Sequence, residues 1–538
     1  MKVKASQQEA FEHLLNISVQ ISKESNVDIL MEKILMAAVE ISNADAGSIY
    51  LVNQNKELEF RTVYNDSMGL HLGGSSVEKI TFPGVPLFVN GEPNRTAIVA
   101  HAANSGEVIN IDDVYATLPF DFSAARTMDT KTGYRTKSML TFPLKDHTND
   151  IIGVIQLINA MDDDVIISFS EEVEKQILSF ASLGAIALTN KALIVNMEQL
   201  FESFAKTIAA AIDAKSPHTG GHCKRVPELT LMIADAVHDY DEGPLASFKL
   251  SAENRHQLNI AGWLHDCGKI ATPDHVIEKS RKLQTIFDRI HYVTAKLEIA
   301  SRDIDIAIQD EIIEALKSNN GIQVKQLERK RDVALKQLKL DRAFLQRINV
   351  GGEFLTDEQE AMIQTIALKY QIIIDNQQQN LLSQDEIENL SVKRGTLNKE
   401  ERSIIQKHMD VTLNILEALP FPKHLANVAE YALGHHETMD GKGYPRGLVK
   451  EQMSVPARLM AIADIFEALS ASDRPYKSAK PVSECLTIMS NMVKNNHLDA
   501  DLFTIFVRSK VYERYINKFA DPKQIDDFSI ESILPDKC

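Results

Sequence analysis

The chain has 538 residues, 44% of them apolar and 25% charged, with a formal net charge of −17. That length exceeds what one hydrophobic core organises, so two to four domains are expected, with the composition of an ordinary globular protein. The acidic balance excludes a protein that coats polymeric nucleic acid through a broad basic surface, while allowing a small anionic substrate met by cations gathered at one site. No uninterrupted apolar run nears the ~18 residues of a spanning helix, and the N-terminus lacks the apolar core of a signal peptide. Cys223, Cys267, Cys485 and Cys538 show neither metal-type nor disulfide spacing. A cytoplasmic location without membrane attachment is the expectation.

In chain order, an amphipathic helix is predicted over 10–23, with Phe11, Leu14, Leu15, Val19 and Ile21 on its apolar face, and a second over 29–42. Strands follow at 48–52 and 58–64 around the polar turn 53–56, then at 138–144 and 151–158 around the turn 145–150. Helices at both ends of a strand meander predict an α/β domain over 1–190, a sheet packed on a helical layer. From 171 to about 214 the chain reads as continuous helix, with no Pro and only Gly184. Its apolar positions are Ile177, Phe180, Leu183, Ile186, Leu193, Met197, Leu200, Phe204 and Ile208. Such a connector suits a parallel two-helix coil in a homodimer; the other reading is the last helix of one domain running into the first of the next.

The remainder, 200–538, is helical in pattern. It is interrupted over about 300–390 by a segment rich in Lys, Glu, Gln and Asp, with Val324, Leu327, Ala334, Leu338, Leu345 and Ile348 spaced along it and no His. This predicts a helical hairpin or coiled-coil insertion. Gly351-Gly352-Glu353-Phe354 is similar to the GGDEF signature of diguanylate cyclases, but it is one residue short and falls between helices, so a cyclase reading is rejected.

Histidines and acidic residues cluster in a few phrases: His218-Thr219-Gly220-Gly221-His222, His265-Asp266-Cys267-Gly268-Lys269, His408, His435-His436-Glu437, and Asp464. Several sit on helices with strong apolar spacing, such as Leu258, Ile260, Ala261 and Leu264 before His265. A single such histidine is usually a satisfied core residue. Burying this many imidazoles and carboxylates without partners would cost several kcal/mol, whereas coordination to shared metal ions removes the conflict. His and carboxylate donors suit Fe, Mn, Zn, Ni or Co rather than Ca. Adjacent residues on a helix point about 100° apart, so one pair can reach two ions and an aspartate can bridge them.

Two families are resembled. The phrases 46–51, 106–111 and 152–159, with the order of elements, resemble GAF sensory domains over most of 1–190. Asn159-Ala160 and Phe169-Ser170-Glu171-Glu172 match the cyclic-nucleotide-binding signature poorly, so the ligand is left unnamed. Residues 200–300 and 390–500 resemble an all-α HD-GYP domain of the HD phosphohydrolases, through His265-Asp266…Gly268-Lys269, the run 435–445 ending in Gly443-Tyr444-Pro445, Pro456-Ala457-Arg458…Asp464, and Arg474-Pro475-Tyr476-Lys477. The resemblance implies a cyclic dinucleotide phosphodiesterase that opens cyclic di-GMP to pGpG or GMP, using two divalent ions, Fe or Mn. His222, His265, Asp266 and Asp464 would hold the first ion, and Asp266 would bridge to a second held by His408, His435 and His436. Lys269 would contact the phosphate or the attacking water; Arg474 and Lys477 would hold the substrate's phosphates, and Asp440, Gly443, Tyr444 and Pro445 would shape the pocket mouth. His218 stands where some members place a glutamate for a third ion, and histidine is itself a ligand. Hydrolysis of cyclic GMP-AMP or another phosphoester, and a non-catalytic nucleotide receptor, are the alternatives.

Overall fold

The structure, a computed structural model, describes residues 24–534 apart from 25, 117–119, 124–125, 127–128, 131–132, 216–220, 353, 375–376 and 472–478. The helix expected over 10–23, His218, Arg474 and Lys477 lie outside the described residues. The chain divides into two compact units, Met1–Leu200 and Phe201–Cys538.

In the first unit, helix α1 (Val27–Ser42) begins where the Asn26 side chain accepts from the amides of Asp28 and Ile29, a satisfied N-cap. The sheet contains β1 (Ala44–Val52), β2 (Glu57–Asn65), β3 (Leu70–Gly73), β4 (Ile109–Ile111), β5 (Met139–Lys145), β6 (Ile151–Asp162) and β7 (Val165–Ile167). Its order is β3-β2-β1-β6-β5-β4, with β7 also on β6, and every one of these pairs is antiparallel. The four expected strands are present. β3, β4 and β7 went unread because segments of three or four residues show too little alternation to register.

Leu30, Ile34 and Leu35 of α1 pack with Ile177, Phe180, Ala181, Ala185 and Leu188 over Ile49, Phe142, Ile155 and Leu157. A second cluster joins α2 (Ile98–Ser105) to Tyr50, Leu58, Ile111 and Val154. A cavity of about 270 Å³ is lined by Tyr50, Phe60, Tyr64, Asp129, Tyr134 and Gln156, among others.

Helix α3 (Glu171–Lys215) runs unbroken for 45 residues. By length and composition it could cross a membrane, with mean hydropathy 1.6 in its best window. Counting uninterrupted apolar residues passed over it, because Ser179, Ser182, Thr189 and Asn190 punctuate the run.

The second unit is built on α4 (His222–Asp239), α5 (Ala252–Leu264), α11 (Val428–Leu433) and α12 (Val455–Ser470), with three further helices, α13 (Val482–Lys494), α14 (Ala500–Arg508) and α15 (Val511–Phe519). One core unites them through Val226, Leu229, Leu258, Ala261, Leu459, Phe466, Phe503 and Tyr515. The segment expected to be an insertion comprises α6 (Ile290–Lys317), α7 (Gly321–Asn349) and α8 (Asp357–Lys369). The ion pairs Glu311–Lys330 and Glu298–Arg342 show α6 and α7 to be antiparallel. A small hairpin of Gln371–Ile374 with Gln377–Asn380 adds strands that the sequence reading did not expect. Gly351 and Gly352 lie in the α7–α8 connection, away from any strand.

How His408 returns to the site after so long an excursion is set by buried lysines. Lys279 Nζ donates to Asn389 Oδ1 and both Glu401 carboxylate oxygens at 2.7 Å, and Lys282 Nζ to the carbonyls of Leu390 and Val392 at 2.9 and 2.8 Å. Entry and exit of the insertion are thereby clamped, and Glu401 lies on α9 (Lys399–Gln406), which leads into α10 (His408–Ala418). Lys279→Met should cost about 3 kcal/mol of stability, since it leaves a buried carboxylate unpaired. Urea unfolding monitored by circular dichroism would read the loss.

Candidate metal centre

Three imidazoles reach the centre from helix ends in the same way. His265 follows α5, His408 opens α10, and His435 lies in the tight turn after α11. Each donates Nδ1–H to the carbonyl three residues earlier: Gly262 at 2.7 Å, Ile405 at 2.5 Å and Ala432 at 2.6 Å. A carbonyl oxygen only accepts, so the proton sits on Nδ1 and Nε2 offers a lone pair.

These lone pairs meet at one carboxylate. Asp266 Oδ1 lies 3.2 Å from His408 Nε2 and 4.0 Å from His435 Nε2. Its Oδ2 lies 3.3 Å from His265 Nε2 and 3.5 Å from His222 Nε2. Asp464 Oδ1 is 3.3 Å from His222 Nε2 and 3.9 Å from His265 Nε2. Two donor sets result, His222–His265–Asp266 and Asp266–His408–His435–His436, within each of which the ligand atoms lie within 4.8 Å of one another. Asp266 belongs to both, with one oxygen turned to each.

The Nε2 atoms of His265, His408 and His435, together with Asp266 Oδ1, are buried without a hydrogen-bond partner. Each such orphan costs about 1–3 kcal/mol. Acceptors pointed at one another are stable only with cations between them, and this imidazole and carboxylate set suits divalent transition metals. The residues present therefore fit the metal ions their chemistry implies.

For His435 and His436 the electrostatics agree. Burial, reinforced by His436 and His265, holds His435 well below the ordinary histidine range, and burial brings His436 down to about 4. Both stay neutral near pH 7, the form that ligates. Burial would depress His222 too, but Asp266, Asp464 and Glu467 outweigh it and hold it well above its usual value. Burial likewise opposes ionisation of Asp266, and Lys269, His265 and His222 overcome it. Lys269 forms an ion pair with Asp266 Oδ2.

Two glycines are required by close approach. A Cβ at Gly268 would stand 1.9 Å from the His408 carbonyl oxygen and 2.6 Å from the Thr412 amide nitrogen. One at Gly443 would stand 2.4 Å from Glu437 Cα. Gly443 thus lets the following loop fold onto the His435–His436 turn, where the Tyr444 ring stacks on His436 at 4.8 Å. Asp440 is held within the loop, accepting from Thr438 Oγ1 at 2.7 Å and Lys442 Nζ at 2.6 Å. The Tyr444–Pro445 peptide is cis.

Of two buried carboxylates beside the centre, the sequence reading named Glu437 without a role and missed Glu467. Glu437, 1% exposed, accepts from the amides of Arg446 and Leu448 at 2.7 and 2.9 Å and pins that loop. Glu467, also 1% exposed, pairs with His222 Nδ1 and accepts from Arg225 Nε at 2.7 Å. Glu467 is three residues past Asp464 on α12, and Arg225 three past His222 on α4, so a one-turn echo of two candidate ligands was the available signal. Glu467 would thereby orient His222 toward a metal ion. Glu467→Gln should weaken metal binding about 10-fold or more, the usual scale for such support, which a competitive chelator titration would measure.

Residues 26–188 match the GAF domain family, and 219–342 and 384–502 match HD domain families. The chain thus carries a GAF-like α/β domain followed by a helical region similar to HD domains. Among curated relatives, a 3′3′-cGAMP-specific phosphodiesterase of Vibrio cholerae is 38% identical over 117 residues, 22% of this chain and 26% of the relative. A cyclic di-GMP phosphodiesterase of Pseudomonas aeruginosa is 36% identical, over 22% of this chain and 27% of the relative. A dual 3′,5′-cyclic-AMP and -GMP phosphodiesterase of Drosophila melanogaster is 32% identical over 46% of this chain and 18% of its own length. The chain thus spans about a quarter or less of the curated relatives it matches.

Proposed function

We propose that the helical half is a metal-dependent phosphodiesterase of the HD-GYP type that hydrolyses a cyclic dinucleotide, cyclic di-GMP first among them, to the linear pGpG or on to GMP. The observation that carries this reading is the Asp266 carboxylate, one oxygen facing His265 and His222 and the other facing His408 and His435, among buried lone pairs with no protein partner. His222, His265, Asp266 and Asp464 would hold one ion, and Asp266, His408, His435 and His436 a second, iron or manganese in each. Divalent ions there would supply the Lewis acidity and the acidified water that cleavage of a phosphodiester demands. Lys269, beside Asp266, would neutralise a phosphate oxygen and orient the nucleophile. Tyr444 on its His436 stack would border the pocket, with Arg474 and Lys477 as phosphate holders and His218 as the candidate for a third ion.

A second substrate, the mixed cyclic GMP-AMP, is favoured by the Vibrio cholerae relative. Protein purified without oxygen and loaded with Fe or Mn should convert one of these cyclic dinucleotides to a linear product separable by chromatography. Bound metal with no turnover of any cyclic dinucleotide would overturn the proposal, and tight binding without product would mark a receptor. The GAF domain is proposed to regulate this activity from the cytoplasm; removal of residues 1–190 without change in rate or ligand response would end that idea.

A further inference from the structure

Helix α3 ends at Lys215, and its last turn grips two segments of the metal centre at once. Just upstream, Ala205, Ala209 and Ile212 lie in the core of the second unit, with Phe201 and Ile208 against it, so burial anchors this end of the helix. From that anchor two polar side chains reach out. Lys215 Nζ donates to the carbonyl oxygens of Ile270 and Thr272 at 2.6 and 2.7 Å, and lies 3.4 Å from Asp274 Oδ1. Two residues earlier, Asp213 Oδ2 accepts from the Gly221 amide at 3.1 Å.

Both grips fall beside residues of the site. Ile270 and Thr272 lie one and three positions past Lys269, and the tight turn Cys267–Ala271 that carries Lys269 starts from Asp266. The Lys269 amide donates to the Asp266 carbonyl at 2.9 Å, so backbone as well as side chain links the two. Ile270 is 51% exposed and Ala271 is exposed too, so apolar burial does little to fix the backbone just past Lys269. Hydrogen bonds must do it. An ammonium has three donors, enough to span two carbonyls, and bonds from a charged donor are about twice as strong as neutral ones. The pairing with Asp274, whose side chain is 68% exposed, adds little. On the other segment, Gly221 precedes His222 in the left-handed region, with φ 94°, and α4 has no side-chain cap of its own. Asp213 therefore fixes the point from which His222 departs.

We infer that Lys215 and Asp213 are positioning residues for the metal centre: the last turn of α3 sets where Lys269 and His222 stand relative to Asp266. Its effect on turnover rests on the phosphodiesterase reading, whereas its effect on backbone order and metal affinity is measured without turnover.

The test uses the full-length chain and three readouts: hydrogen exchange over 267–274 by mass spectrometry, manganese affinity by competitive chelator titration, and kcat and KM on cyclic di-GMP. Lys215→Met keeps the length of the side chain and removes its donors. It should speed exchange over 267–274 about 10-fold with an unchanged circular dichroism spectrum, and weaken manganese binding about 10-fold. It should also lower kcat about 10-fold or more while KM stays within about threefold, as loss of an interaction made in the transition state requires. Lys215→Arg, which can donate to both carbonyls, should come within about threefold of the parent in every readout. Asp274→Ala, which leaves both carbonyl bonds, should match the parent. Asp213→Ala should weaken manganese binding while leaving exchange over 267–274 unchanged. Parental exchange and manganese affinity in Lys215→Met would overturn the inference, as would an arginine variant no better than methionine. So would an Asp274→Ala variant that reproduces Lys215→Met, and parental manganese affinity in Asp213→Ala would remove that residue from it. If the parent turns over no cyclic dinucleotide, the phosphodiesterase reading falls, and exchange and metal affinity still decide the role of Lys215.

Discussion

Replacing Asp266 by asparagine is expected to remove the proposed metal-dependent hydrolysis almost completely, by about 10³-fold or more in kcat. That loss follows from where Asp266 stands. Asp266 is 2% exposed and is the one residue common to both donor sets. Its neighbours assume its charge: Lys269 is paired to it, and His222 and His265 face the same oxygen. An amide of the same shape removes that charge and turns an NH₂ group toward a set of lone pairs. Lewis-acid stabilisation is worth several kcal/mol, and each 1.36 kcal/mol is tenfold in rate. Steady-state kinetics on protein of matched metal content would give the ratio, and a variant that kept more than a tenth of the parent rate would show that Asp266 does not bridge.

Gly268→Ala should damage stability and site together. The added methyl would meet two backbone atoms of α10, the His408 carbonyl oxygen and the Thr412 amide nitrogen, neither of which can rotate away. The Gly268 amide also donates to Thr412 Oγ1 at 3.0 Å, a bond that any separation would break. Overpacking of this kind costs about 3 kcal/mol or more. Because α10 begins with His408, the ion on that side should be lost first. Urea unfolding and metal content would read the two effects separately, and an unaltered midpoint would contradict the packing described.

Much of this was legible because the chemistry sits in contiguous phrases. His265-Asp266 and His435-His436 announce themselves as polar pairs at the ends of helices with regularly spaced apolar residues. The strands 48–52 and 151–158 likewise read directly from alternation and their flanking turns. What the sequence withheld depended on geometry between distant segments. Glu467 looks like one more helix residue until α12 sets it against His222, 245 residues away. Lys279 and Lys282 look like surface lysines until the insertion closes over them. Periodicity along α3 reported the sum of two faces, and only burial separated them.

Two ions on either side of one aspartate, as proposed, are tested most directly by anomalous diffraction from crystals of the iron- or manganese-loaded protein. The account predicts two peaks roughly 3.5–4 Å apart, the spacing of two-metal sites, one between Asp266 and the His222–His265 pair and the other between Asp266 and His408, His435 and His436. A single peak, or peaks remote from Asp266, would contradict it.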